Sequence, residues 1–176
     1  MRDGLLEPGD VEPLLREFAR RISASGQTAG IRVVGGAAIA LLNADRRLTQ
    51  DIDAVIHPTG AWAEVANAMA NERGLPVGWI NDAVVAKLPL VGLDEWTELL
   101  REGDVTVFVA SPRMLLAMKL LANRGVRDTD DIHFLLDACS VSSVEEAQEI
   151  YEHYHHQEVM SSGAKARVAG WLERRA

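Results

Sequence analysis

Residues 33–56 have the sequence VVGGAAIALLNADRRLTQDIDAVI, and this segment decides the fold. A β-branched run leads into two glycines and an apolar, alanine-rich run follows them, which predicts a strand, a tight turn and a helix over 31–42. Further along, Asp51 and Asp53 alternate with apolar residues in the pattern of a half-buried strand over 51–56. The segment therefore predicts a strand, a helix and a second strand, with polar groups set into an otherwise apolar run.

The neighbouring segments extend this pattern. Helical spacing of apolar residues predicts a helix over 10–22, with Asp10 as its N-cap, and a later helix that ends before Gly74. Over 75–103 the pattern is weak and indicates only short strands, at PVGWI and AVVAKLPLV. The run DVTVFVA, residues 104–110, consists largely of strong β-formers and predicts a further strand.

The last part of the chain predicts helices throughout. Ser111 and Pro112 suit an N-cap and a first helical residue, and Ser143 begins a capping box. We therefore expect an α+β fold with a small mixed sheet flanked by helices. The expected division is a core of residues 1–110 and a helical C-terminal subdomain of residues 111–176, packed as one unit.

The composition is that of a globular protein, because 48% of the 176 residues are hydrophobic and 25% are charged. The net charge of −8 argues against nucleic-acid binding through a broad basic surface, while a local basic patch remains compatible with it. A single cysteine, Cys139, excludes an intrachain disulfide and a zinc site built of cysteines. The longest apolar runs are far shorter than the roughly 20 residues that span a bilayer, and the N-terminus lacks an export signal. We therefore expect a cytoplasmic protein that does not bind membranes.

Asp51 and Asp53 are the candidate metal ligands. Side chains two residues apart on a strand point to one face, with Cβ atoms about 7 Å apart, so both carboxylates can reach one or two divalent cations. Mg²⁺ is the expected ion and Mn²⁺ the alternative, because both take hard oxygen ligands. Asp104 is a third candidate if its strand lies beside the D-x-D strand. In the alternative interpretation Asp51 caps a turn, Asp53 lies on a solvated face and Asp104 only begins a strand.

Gly35 and Gly36 are the candidate phosphate site. They lie between a strand and a helix, where backbone N–H groups and the helix N-terminus can hold a phosphate. Arg46 and Arg47 precede the D-x-D strand and can neutralise a triphosphate or a nucleic-acid phosphate. A plain turn and two surface charges are the alternative. The three elements nevertheless lie close together in the sequence, which favours a phosphate site facing a metal site.

A second group of charged residues lies in the helical part. Lys119 interrupts the apolar run LLAMKLLA. It either extends its amine to solvent or, with Arg124, directs positive charge at a substrate phosphate. Arg124 and Arg127 lie four residues before Asp128 and Asp131, the spacing of ordinary helix ion pairs, and Asp128 also suits an N-cap. Alternatively, one of these aspartates acts as a base or as a further metal ligand.

The combination of VVGGAAIALL, R-x-T-x-DIDAVI and SPRMLLAMKLLANRGVRDTDDIHFLL resembles the nucleotidyltransferase superfamily. More narrowly, it is similar to the AbiEii/MenT-type nucleotidyltransferase toxins of toxin–antitoxin systems. The likeness covers residues 31–56 and 111–136 and implies a small mixed sheet of the polymerase-β type with a C-terminal helical region. Gly36 stands where many superfamily members have serine, and no third carboxylate on a neighbouring strand is identified.

The resemblance also implies roles for the matching positions. It assigns the triphosphate to Gly35 and Gly36, magnesium to Asp51 and Asp53, phosphate to Lys119, and an additional acidic role to Asp128 or Asp131, and Arg47 matches the basic position that precedes the aspartates. The implied reaction is attack of an acceptor hydroxyl on the α-phosphorus of a nucleoside triphosphate, with pyrophosphate as the leaving group.

The resemblance extends to partners as well. In toxins of this kind the acceptor is often the 3′ end of tRNA, whose modification blocks aminoacylation and hence translation, and a cognate antitoxin protein neutralises the toxin. A small hydroxyl compound, as in antibiotic-modifying relatives, is the alternative acceptor. A non-catalytic binding or regulatory relative is the alternative class of protein.

Overall fold

The structure, a computed structural model, describes residues 5–46, 48–58, 62–84, 88–89, 91–92 and 95–175. Within these ranges the chain forms seven α-helices and five strands. They are α1 (Pro8–Ala24), β1 (Ala29–Val33), α2 (Gly35–Leu42), β2 (Ile52–His57), α3 (Trp62–Arg73), β3 (Ile80–Asn81), β4 (Trp96–Glu102), β5 (Val105–Ala110), α4 (Pro112–Ala122), α5 (Thr129–Ala138), α6 (Val144–Tyr154) and α7 (Ser162–Glu173), with a 3₁₀ turn at Gly125–Asp128. None of the described helices is both long and apolar enough to cross a membrane.

The strands form one mixed sheet in the order β3-β2-β1-β5-β4. The central strand β1 pairs antiparallel with β2, Val33 opposite Ala54, and parallel with β5, Val33 opposite Val109. β3 is parallel to β2 and β4 is antiparallel to β5, so these two strands form the edges. Because β1 and β2 are antiparallel, the end of β1 and the start of β2 meet at one end of the sheet, where the chain turns into α2.

The two faces of the sheet differ in burial. On one face the apolar side chains are buried, and α1 packs against β1, β4 and β5 while α2 packs against β2. These buried residues are Ile31, Val33, Ile52, Ala54, Ile56, Val105, Val107 and Val109. The second face, called the open face below, carries side chains that are only partly buried: Arg32, Asp53, Val55, Trp96 and Phe108. The sheet therefore has one face committed to the core and one face with accessible polar and aromatic groups.

The chain divides into two compact units. The sheet unit comprises residues 1–86 and 96–110, and the helical unit comprises residues 87–95 and 111–176. The α+β class, the small mixed sheet flanked by helices and the C-terminal helices predicted from the sequence are confirmed.

Several local predictions differ from the structure. α1 begins after Glu7, and Asp10 is not the N-cap but lies within the first turn, where its carboxylate accepts the Glu7 N–H at 3.1 Å. β4, which the weak pattern did not indicate, carries a register irregularity between Glu98 and Leu100 that interrupts the alternation. Of the short strands expected, β3 includes the end of PVGWI, whereas AVVAKLPLV lies largely outside the described residues.

Candidate active site

The turn from β1 into α2 brings the backbone against Asp53. Val34 donates its N–H to the Asp53 carbonyl oxygen at 2.9 Å. Gly35 has a φ of +64°, and a Cβ at this position would lie 2.6 Å from Asp53 Oδ2. A larger residue would be strained by this φ and would collide with the carboxylate, so glycine is required for the close approach.

Gly36 faces a hydroxyl and a guanidinium from the loop that precedes β2. A Cβ on Gly36 would lie 2.8 Å from Thr49 Oγ1 and 3.0 Å from Arg46 Nη2. Thr49 is buried and well fixed, because its backbone exchanges two hydrogen bonds with Leu6, at 2.8 and 2.9 Å. Its hydroxyl donates to the Asp51 carbonyl oxygen at 3.2 Å. The space left by the absent side chain of Gly36 is thus filled from the loop.

The N-terminus of α2 favours an anion. The N-cap residue Val34 makes no side-chain hydrogen bond to the helix, and the first turn contains no acidic residue. The first N–H groups of a helix have no partner within it, and the helix dipole adds positive potential there. Arg46, close to Gly36, adds a full positive charge. Of the predicted phosphate-site residues, the structure brings Gly35, Gly36 and Arg46 together, while Arg47 lies outside the described residues.

Asp51 and Asp53 lie at the start of β2, and both are half-buried. On the neighbouring strand β3, Asn81 is the register partner of Asp53. Asn81 Nδ2 donates to Asp51 Oδ2 at 3.1 Å, and Asn81 Oδ1 accepts the Ala83 N–H at 3.1 Å. The neighbouring strand therefore contributes an amide, and not a third carboxylate, beside the aspartates.

This donor set fits Mg²⁺. In the described part of the chain no group of three or more His, Cys, Asp or Glu side chains forms a metal site. Mg²⁺ does not require such a group, since proteins usually hold it with one or two carboxylates while water and substrate phosphates supply the remaining oxygens. Asp51 and Asp53, beside an anion-favouring helix N-terminus, match that division of ligands.

Asp104 lies at the opposite end of the sheet. It is exposed in the turn between β4 and β5, and its carbonyl oxygen accepts the N–H of Ala29 at the start of β1, at 3.4 Å. The other end of β1, at Val33, is the end that pairs beside Asp53. The condition under which Asp104 was a candidate ligand is not met, because β1 separates β5 from β2 and the Asp104 strand begins at the far end of β1.

In the helical unit Lys119, Arg124, Asp128 and Asp131 form an ion cluster. Lys119 Nζ lies 2.8 Å from Asp128 Oδ1 and 2.8 Å from Asp131 Oδ2, and all three side chains are buried. Arg124 donates to Asp128 from its backbone N–H and its guanidinium, at 2.8–3.2 Å. Two positive and two negative groups balance, so the cluster ties α4, the 3₁₀ turn and α5 together with little net charge.

Asp128 illustrates how this cluster constrains its members. Burial would raise the pKa of Asp128, but hydrogen bonds from Arg124 and Lys119 outweigh burial and lower that pKa to about 2. A carboxylate with so low a pKa is a weak base at neutral pH. Asp128 occupies the N-cap position of α5 but makes no capping hydrogen bond, because its oxygens accept from Lys119 and Arg124 instead. The cluster therefore fixes its own geometry, and contact of any member with substrate stays a prediction.

Two residues of the site were missed by sequence reasoning. Thr49 is the threonine of the R-x-T-x-D-I-D motif, and a hydroxyl two residues before the first aspartate was the pattern that could have indicated it. Asn81 lies on a strand of two residues, and only the pairing of β3 with β2 brings it to the aspartates. Neither residue carries a charge, so neither stood out in the sequence.

The fold and this site together define a class of protein. The central strand of the mixed sheet ends at a glycine turn, and this turn lies against the adjacent strand, at whose start the two aspartates lie. This arrangement is consistent with the polymerase-β-like nucleotidyltransferase fold. A family model described as "Nucleotidyltransferase of unknown function (DUF6036)" matches residues 14–168. The chain belongs to this family, and the match includes both the glycine turn and the Lys119 cluster. The comparison with curated proteins gives no significant match.

Proposed function

We propose that this protein transfers a nucleotide from a nucleoside triphosphate to an acceptor hydroxyl in a reaction that requires Mg²⁺ or Mn²⁺. The observation that carries the proposal is the close approach of the Gly35 backbone to the Asp53 carboxylate, because it sets an anion-favouring helix N-terminus beside one of the two candidate metal ligands. The family match supports nucleotidyl transfer in general. The metal ion, held by Asp51 and Asp53, supplies charge neutralisation at the reacting phosphate.

Other residues of the sheet unit bind the phosphates or position the aspartates in the proposed reaction. The N–H groups at the start of α2 and the Arg46 guanidinium bind the β- and γ-phosphates. Thr49 fixes the loop through its bond to the Asp51 carbonyl oxygen, and Asn81 holds one oxygen of the Asp51 carboxylate. The acceptor oxygen bonds to the α-phosphorus and its hydroxyl proton passes to water, while the bond to the β-phosphate breaks and pyrophosphate leaves. Catalysis of this kind consists mainly of positioning and charge stabilisation, which these contacts provide.

We further propose that the protein is the toxin of a toxin–antitoxin pair, acts on the 3′ end of tRNA in the cytoplasm, and is neutralised by a cognate antitoxin. The support is the resemblance of residues 31–56 and 111–136 to AbiEii/MenT-type toxins. The net charge of −8 favours the second candidate, a small hydroxyl compound as acceptor, because RNA would have to bind through local positive groups.

Label transfer tests both the proposed reaction and the proposed tRNA acceptor. The purified protein is incubated with each α-labelled nucleoside triphosphate, with Mg²⁺ or with a chelator, and with total tRNA or a panel of small hydroxyl compounds. We expect Mg²⁺-dependent labelling of tRNA that Asp51→Asn and Asp53→Asn abolish. Asp104→Asn, which changes an aspartate at the other end of the same sheet, is the matched control and should retain activity. Label on a small compound but not on tRNA refutes the tRNA assignment, and no transfer to any acceptor refutes the reaction.

A further inference from the structure

Arg32 lies on the open face of the sheet beside the D-x-D strand. On β1 it is the register partner of Val55 on β2 and of Phe108 on β5. Residues directly opposite in a sheet share a face, and diagonal neighbours two positions along lie about 7–8 Å apart. Asp53 is such a diagonal neighbour of Arg32. The Arg32 side chain therefore leaves the sheet on the face that also bears Asp53.

Two aromatic rings flank the Arg32 guanidinium. Its central carbon lies 5.9 Å from the centroid of the Trp96 ring and 5.7 Å from that of the Phe108 ring. Both distances fall within the range of cation–π contacts. All three side chains are only partly buried. We call Arg32, Trp96 and Phe108 the arginine–aromatic cluster.

Two donors of this cluster lack a hydrogen-bond acceptor in the described part of the chain. In the part of the chain that the structure describes, three buried side-chain nitrogens lack a hydrogen-bond partner, and two of them are Arg32 Nε and Trp96 Nε1. Buried donors are normally paired, so an unpaired one calls for an explanation. Here two occur in one cluster, around a cation for which the described residues show no ion pair within 4.0 Å.

We propose that the arginine–aromatic cluster binds a nucleotide unit. Planar bases stack on aromatic rings and on guanidinium groups, and the acceptor atoms of a base, sugar or phosphate would pair with the two unsatisfied donors. A polycationic acceptor would be repelled by Arg32. The proposal rests on the proposed function, because the nucleotide unit belongs to a substrate of the proposed transfer. The nucleotide unit comes either from the triphosphate donor or from the end of an RNA acceptor.

Direct binding distinguishes these two sources without turnover. One arm titrates the protein with each nucleoside triphosphate and Mg²⁺ in the absence of acceptor, and the other titrates it with a short single-stranded RNA in the absence of triphosphate. Equilibrium dialysis gives the dissociation constant, and tryptophan fluorescence reports contact at Trp96. We expect Arg32→Gln and Phe108→Leu to raise the dissociation constant of one of the two ligands by about tenfold or more. Arg32→Lys, which keeps the charge but not the planar guanidinium, should raise the same dissociation constant by less.

Matched controls separate this effect from loss of charge or of folding. Arg20→Gln removes an exposed arginine of α1 in the same unit and should leave both affinities unchanged. Trp96→Phe keeps a ring and should abolish the fluorescence change. Circular dichroism melting shows which variants are folded, and Phe108→Leu is available if Arg32→Gln does not fold.

The outcomes separate this proposal from the proposed reaction. Weaker triphosphate binding identifies the donor as the ligand, and weaker RNA binding identifies a nucleic-acid acceptor. Wild-type affinity for both ligands in folded Arg32→Gln and Phe108→Leu variants overturns the cluster assignment, even where label transfer proceeds. Binding that depends on Arg32 in a protein without transferase activity supports the cluster and overturns only the reaction.

Discussion

The Gly36→Ser substitution tests whether the Thr49 hydroxyl occupies the volume that a side chain at residue 36 would fill. A Cβ at residue 36 would lie 2.8 Å from Thr49 Oγ1 and 3.0 Å from Arg46 Nη2. The Arg46 guanidinium is the end of a flexible side chain and can move aside. Thr49 cannot, because its backbone is paired with Leu6 and its hydroxyl with the Asp51 carbonyl oxygen. We expect Gly36→Ser to destabilise the protein by about 1–3 kcal/mol, the usual cost of overpacking.

Thr49→Ala should relieve this conflict. As a single change it removes one hydrogen bond and should cost about 1 kcal/mol. In the double variant Gly36→Ser/Thr49→Ala the new side chain enters the space left by the Thr49 hydroxyl, so the two costs should not add. We expect a favourable coupling free energy of about 1–2 kcal/mol between the two positions. For a chain of this size this corresponds to roughly 2–4 °C in Tm per kcal/mol.

Urea and thermal unfolding of the four proteins in this cycle give the coupling free energy. Gly9→Ser is the control for the substitution itself, because Gly9 lies in α1 and a Cβ at that position would have no neighbour within 4 Å, so stability should change little. If the hydroxyl at position 49 also contacts the triphosphate, the serine hydroxyl introduced at position 36 can replace it. The double variant should then retain more label transfer than Thr49→Ala. Strict additivity of the two free energies of unfolding would show that Thr49 does not fill this volume.

Three further predictions concern the charged groups. Asn81→Asp replaces the amide that donates to Asp51 with a second carboxylate, so the variant should melt lower than wild type without Mg²⁺ and show a larger rise in Tm when Mg²⁺ is added. Lys119→Met leaves two buried carboxylates without their shared cation and should cost about 3–5 kcal/mol, whereas Arg101→Met, at an exposed ion pair, should leave the midpoint of the same urea titration almost unchanged. Because the pKa of Asp128 falls from 3.8 to about 2 on folding, its contribution to stability is complete above pH 3.8 and is lost as the pH falls toward 2; acid unfolding should show this loss, and Asp128→Asn should remove it.

The sequence was sufficient for the glycine turn and the aspartate strand because the segment is contiguous. β1, α2 and β2 follow one another within residues 29–57, and the period of apolar residues changes visibly at Gly35. Burial of Ile52 and Ala54 then determines that Asp53 points to the other face of the sheet. Local pattern and turn chemistry agree here, so the predicted elements and the structure coincide.

Strand order was not predictable in the same way. The run that begins at Asp104 and the D-x-D run both indicate strands, but nothing in either run specifies that β1 lies between them. The same limit applies to Asn81, whose neighbours along the chain give only a weak strand pattern. In the helical unit, spacing predicted the Arg124–Asp128 pair, whereas the Lys119–Asp128 pair depends on the 3₁₀ turn that returns the chain to α4.

The residues around the glycine turn and the arginine–aromatic cluster differ in origin, and under the proposed function this difference separates chemistry from specificity. The glycine turn, Thr49 and the aspartates all come from one segment of the chain, so substitutions there should reduce transfer between every pair of substrates alike. The arginine–aromatic cluster is assembled from β1, β4 and β5 and shares only a sheet face with Asp53. Substitutions in the cluster should therefore change the ratio of kcat/KM between nucleotide substrates, because they alter contacts that one substrate makes and another does not. Specificity can then vary through β4 and β5 while the segment 33–56 stays fixed.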